Sequence, residues 1–78
     1  MTVLLVLALA AACGPSDECR RYVACQKAFD PSVDTQPYDD GGSCWGALQT
    51  SLACTQQCSD ALDALAQVPG APPECVSR

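Results

Sequence analysis

Seven cysteines in 78 residues, with no histidine anywhere, constrain this chain more than any other feature. Cysteine at that density in so short a chain reads as a disulfide framework. The remaining residues offer little to build a core with. Beyond the first dozen positions the large apolar side chains are Tyr22, Phe29, Tyr38, Trp45, Leu48, Leu52, Leu62, Leu65 and a few valines. A domain of this size buries only ~60% of its unfolded surface and usually needs covalent staples. The missing histidine removes the commonest general base and the commonest metal ligand. Zinc wants thiolates at a two-residue spacing, and a dithiol redox site wants Cys-x-x-Cys. The nearest pair here is Cys54-x3-Cys58. No metal or other cofactor is expected, no catalytic residue is identified, and the chain is not expected to be an enzyme.

Charge divides the chain. All four basic and nine acidic side chains lie after Cys13, and Val3 to Ala12 is an unbroken apolar run. A bilayer span needs ~20 apolar residues, so the run is too short for one. It fits the ~7–15-residue apolar region of a secretory signal, followed by the small residues Ala10, Ala11 and Ala12. Leu9-Ala10-Ala11-Ala12-Cys13 resembles the lipobox of bacterial lipoproteins, with Ala10 standing where Leu is usual. The resemblance implies that the Cys13 thiol receives a diacylglycerol and that the peptide is cut just before it. Parity agrees with this: setting Cys13 aside leaves an even six cysteines for disulfides. Gly14 is not the acidic residue that resembles an inner-membrane retention signal, so the outer membrane is favoured. The expected organisation is a signal peptide at 1–12, lipid attachment and a short tether at 13–15, and a cysteine-rich helical domain at 16–78. The alternative is an ordinary secretory signal cut after Ala12 or Ala10, with Cys13 left as a free thiol.

Ser16 is an N-cap candidate, with Asp17 and Glu18 at the positive end of the helix that follows. Cys19, Tyr22, Cys25 and Phe29 recur at helical spacing, and Pro31 ends the pattern. Residues 30–43 read as a polar loop. Its aspartates lack the spacing and the bidentate Glu of a calcium loop. Ser43 is the next N-cap candidate. Behind it Trp45, Leu48, Leu52, Cys58, Leu62 and Leu65 form a helical stripe from Cys44 to about Gln67, intact or broken near Ser59. Val68 to Pro73 stops it, and Glu74–Arg78 is a short tail carrying Cys75. The predicted fold is all-α, a small disulfide-stapled helical hairpin with a returning C-terminal tail.

Six cysteines allow fifteen pairings. An antiparallel hairpin with a short loop sets Cys25 beside Cys44. Cys19 then lies ~9 Å back along one helix and Cys54 ~15 Å along the other, a better match than Cys58 at ~21 Å. From the end of the second helix the tail reaches Cys58 more easily than Cys44. The preferred set is Cys19–Cys54, Cys25–Cys44 and Cys58–Cys75. A broken second helix would instead give Cys19–Cys58, Cys25–Cys54 and Cys44–Cys75.

A second resemblance covers most of the domain. Cys19-x2-Tyr22-x2-Cys25, Tyr38-Asp-Asp-Gly-Gly-Ser-Cys44-Trp45, Cys54-x3-Cys58 and Pro73-Glu74-Cys75 look like the small cysteine-rich lipoproteins of myxobacteria. The resemblance implies export, lipidation and disulfides, and brings no activity with it. A net charge of −5 offers no basic stripe for nucleic acid. The expected function is that of an exported, lipid-anchored envelope protein acting as a binding or structural module. Its expected partner is the membrane, through lipid on Cys13, and no protein partner is identified. Tyr22, Tyr38 and Trp45 are expected to fill the core before they face a partner. The alternative is a freely secreted small effector or inhibitor, periplasmic or released.

Overall fold

Helix α1, Asp17–Phe29, starts where its capping residues put it. In the computed structural model, which describes residues 14–76, Ser16 Oγ accepts a hydrogen bond from the Cys19 N–H at 3.3 Å. That satisfies one of the donors the first turn leaves open. Asp17 and Glu18 sit in this first turn and Lys27 in the last, each at the end of the dipole its charge suits. Arg21 Nε lies 3.3 Å from Asp17 Oδ2, an exposed ion pair that contributes little. The helix stops before Pro31. There the Asp30 carboxylate accepts from the Ser32 hydroxyl at 2.8 Å and the Ser32 N–H at 3.1 Å, contacts that lower its pKa, the hydroxyl most.

Residues 30–47 link α1 to the second long helix, α2, Leu48–Ala66. The link contains two 3₁₀ turns, Gln36–Tyr38 and Ser43–Trp45. Cys44 therefore lies on a separate turn ahead of α2, and the helix begins only after an extended residue, Ala47. A last short helix, α3, Pro73–Val76, carries Cys75. The described residues are thus an all-α, disulfide-stapled fold with a returning C-terminal tail, as the sequence predicts. None of their helices is long and apolar enough to cross a membrane.

The link retraces the length of α1. Tyr38 meets Tyr22 edge-on with ring centroids 5.2 Å apart, and Tyr38, Asp39 and Asp40 lie beside Pro15 and Arg20. By the time α2 starts, the chain is back at the N-terminal half of α1. The Cys19 sulfur lies 3.3 Å from the Cys54 carbonyl oxygen, a contact rather than a hydrogen bond because the oxidised sulfur carries no proton. Cys19 is bonded to Cys58, while the cluster around Cys25 takes Leu62 and Leu65 from α2. Partners on α2 thus advance in number as α1 advances, so the two helices run in the same sense across their contact.

Two glycines make the link's sharpest bend. Gly41 has φ +73°, a left-handed conformation that costs only glycine nothing. A Cβ on buried Gly42 would collide with the carbonyl oxygens of Gln36 and Pro37. Gly46 has room, its nearest such atom being Ser43 O at 3.8 Å. Gly42→Ala should therefore destabilise the oxidised protein by about 1–3 kcal/mol. Gly46→Ala should be neutral or slightly stabilising through the unfolded chain. Thermal melts of the two variants side by side check the contrast.

Candidate functional site

The chemistry-bearing residues of this chain are its cysteines, and most of them form its interior. Among the described residues the buried apolar ones are Cys19, Cys25, Cys44, Trp45, Cys58, Leu62 and Cys75, so cysteines outnumber the other side chains of this core. They fall into two clusters. One gathers Cys19, Cys44, Trp45 and Cys58, with Tyr22, Tyr38 and Cys54 against it. The other gathers Cys25, Leu62 and Cys75, with Tyr22, Leu65 and Ala71 against it. Tyr22 belongs to both, and its hydroxyl accepts from Gln26 Nε2 at 2.9 Å.

All six cysteines from Cys19 onward are oxidised, but not in the pairs that hairpin geometry favours. The bridges are Cys19–Cys58, Cys25–Cys75 and Cys44–Cys54, with Cα separations of 5.0, 4.7 and 5.9 Å. The expected Cys19–Cys54, Cys25–Cys44 and Cys58–Cys75 are all replaced. Of the rival set only Cys19–Cys58 occurs. One physical cause accounts for every change. Antiparallel packing was inferred from a short link, whereas this link is long enough to return along α1. Its return leaves Cys44 at the N-terminal end of α1, next to Cys54 and far from Cys25. Cys25, at the other end, is then free for Cys75, which the turn after α2 brings back. Cys13, the expected lipid attachment site, lies outside the described residues.

The aromatic residues fill space, as expected of them. Trp45 is buried and its indole N–H donates to the Tyr38 carbonyl at 3.1 Å. Buried Thr35 donates its hydroxyl to Asp39 Oδ1 at 2.9 Å, pinning the preceding turn. A shallow groove of about 280 Å³ is lined by Pro15, Arg20, Val23, Tyr38, Asp39 and Asp40. It sets one guanidinium beside two carboxylates and holds no nucleophile paired with a base. Among the described residues no group of three or more cysteine, aspartate or glutamate side chains is arranged to hold a metal ion.

Two leucines of the expected stripe are not in the core. Leu48 is 72% exposed and Leu52 63% exposed. At ~100° per residue, Cys54, Cys58, Leu62 and Leu65 fall within about 80° of the α2 circumference, and Leu48 and Leu52 lie beyond its edge.

The three bridges differ in reach and in access. Cys25–Cys75 spans 50 residues and Cys44–Cys54 spans 10. On loop-closure entropy the longer one should stabilise by about 1.4 kcal/mol more. Replacing Cys25 and Cys75 by alanine should lower the melting temperature further than replacing Cys44 and Cys54. Cys54 is the one half-cystine that is not fully buried, and exchange needs access to sulfur. Graded reduction followed by alkylation and peptide mapping should find Cys44 and Cys54 labelled first.

Compared with protein-family models, with curated proteins and with solved structures, the chain matches none.

Proposed function

We propose that this is an exported, lipid-anchored envelope protein of bacteria, in which the disulfide-bonded domain is a binding or structural module without catalytic activity. The observation that carries the reading is the fate of the cysteines. Six of the seven bond to one another, so Cys13 is left over for other chemistry. Three bridges in a domain of this size suit an oxidising compartment outside the cytoplasm. Cys13 also stands directly behind an apolar run and three alanines, the position in which a lipoprotein carries its acyl chains.

The domain supports a passive role. Its cysteines are consumed in cross-links, its tyrosines and tryptophan pack inward, and the groove beside Arg20 is shallow and lacks paired acid–base groups. What it offers a partner is a small, stiff, cross-linked surface held close to a membrane. The outer membrane is the favoured location.

Expressed with its own leader in a bacterium that processes lipoproteins, the mature protein should partition into the detergent phase. Its intact mass should show acyl addition and loss of residues 1–12. Cys13→Ser should make it soluble or leave it unprocessed. A soluble wild-type protein of unmodified mass would instead identify a freely secreted effector or inhibitor.

A further inference from the structure

Charge is absent from one stretch of the chain. From Gly41 to Ser59 no residue carries a charged side chain, although thirteen are spread over the rest of the chain after Cys13. The stretch includes the first turns of α2, where Leu48 and Leu52 stand exposed one turn apart on the same flank. No other large apolar side chain of the described residues is as exposed: Phe29, Val68 and Val76 range from 41% to 52%.

This flank lies at the tethered end of the domain. The Cys19–Cys58 bridge, with Cα atoms 5.0 Å apart, fixes the level of the two helices, which run in the same sense. From Cys58, Leu52 lies ~9 Å and Leu48 ~15 Å back toward the N-terminal end. From Cys19, Ser16 lies ~4.5 Å back in the same direction. Gly14 precedes Ser16 by two residues, so Cys13 is at most ~11 Å of chain from Ser16, the cap of α1. An acyl-bearing Cys13 therefore brings a bilayer to the level of Leu48 and Leu52.

We infer that Leu48 and Leu52 form a membrane-contact surface that seats the anchored domain on the bilayer with the first turns of α2 facing the lipid. The inference rests on the lipid-anchor reading of Cys13 and goes beyond it by assigning an orientation. The occupant is a lipid surface because the chain leads there: the tether is too short to hold this end of the domain far from the membrane it enters. The flank suits that neighbour. Leucine side chains enter the boundary between headgroups and acyl chains favourably, and their neighbours on α2, Gln49, Thr50, Thr55 and Gln56, are uncharged, while the carboxylates of Asp17 and Glu18 at this end belong to α1. Two leucines add little to anchoring by several acyl chains, so their effect is on orientation rather than on affinity.

The test uses the full mature protein, purified from a lipoprotein-processing host and reconstituted in vesicles of phosphatidylethanolamine and phosphatidylglycerol. Hydroxyl-radical footprinting reads side-chain exposure directly, and Phe29 and Val76 serve as internal references. After correction for intrinsic reactivity, Leu48 and Leu52 should be labelled about five-fold less than those two. The protection should persist when protein is diluted a hundred-fold in lipid. Equal labelling of all four residues in protein whose mass carries the acyl chains would overturn the orientation and leave the anchor standing. Protection that vanishes on dilution would overturn it too, in favour of a second copy of the chain. An unmodified mass would overturn the anchor itself, and this inference with it.

Discussion

Three cystines take the place of a hydrophobic core in this protein, and the rest of the structure depends on them. The bridged backbones lie 4.7 and 5.0 Å apart at Cα, where α1 is bonded to α3 and to α2, the ordinary span of a disulfide. The sequence supplies few large side chains to fill the space between the helices. Among the described residues Leu62 is the one buried leucine and Trp45 the one buried aromatic. Sulfur fills the space between the helices and cross-links them at the same time. Reduction would therefore remove more than a constraint on the unfolded chain. It would place two thiols where one closely fitted bridge had been, in an interior with little else to hold it.

The direction of the second helix is decided outside the helices. A link of eighteen residues between Phe29 and Leu48 can either turn at once or run back, and its polar composition says nothing about which. The choice is made by two aromatic contacts. Tyr38 lays its ring against Tyr22, and Trp45 donates its indole N–H to the Tyr38 carbonyl. Gly41 and Gly42 allow the chain between Tyr38 and Trp45 to bend tightly enough for both contacts. The link is better described as a third layer than as a loop. It lies along α1, buries Thr35 and Gly42, and delivers Cys44 next to Cys54.

Local signals reported the ends of α1 faithfully but missed the start of α2: Ser43, expected to cap a helix from Cys44, opens a 3₁₀ turn, and α2 begins at Leu48 behind Ala47, which makes no side-chain cap. Ser16, Asp17 and Glu18 announced the start of α1 and Pro31 its end, because caps and proline act within one turn. The prolines after Val68 likewise announced a stop before the tail. Cysteine count and the scarcity of large apolar residues announced a stapled domain, and the helical spacing of Cys19 to Phe29 and of Trp45 to Leu65 announced that it is all-α. Pairing was not legible, since it follows from the path of the link, and that path follows from Tyr38 meeting a residue sixteen positions earlier. Nor did the apolar stripe from Trp45 to Leu65 announce that Leu48 and Leu52 face outward. Hydrophobic periodicity marks what could be buried, and only the register of α1 against α2 decides what is. The anchoring role assigned to Cys13 rests on the sequence around it and on the pairing of every other cysteine.

The wiring of the bridges bears on how such a fold is reached. Cys44–Cys54 is nested within Cys19–Cys58, whereas Cys25–Cys75 crosses it. Loop-closure entropy works against the crossing bond. A bond from Cys25 to Cys44 would close a loop well under half as long as the one Cys25–Cys75 closes, and shorter loops form at lower entropic cost. That preference is small, because the dependence on length is logarithmic: a halving changes the cost by about 0.6 kcal/mol. A single aromatic pair contributes a comparable ~0.5–1.5 kcal/mol. The Tyr22–Tyr38 contact and the hydrogen bond from Trp45 to Tyr38 are therefore large enough to override chain statistics. In the folded domain they set Tyr38 and Trp45 where Cys44 meets Cys54. Covalent bonds give this domain its stability, and weak contacts within a polar link decide which covalent bonds they are.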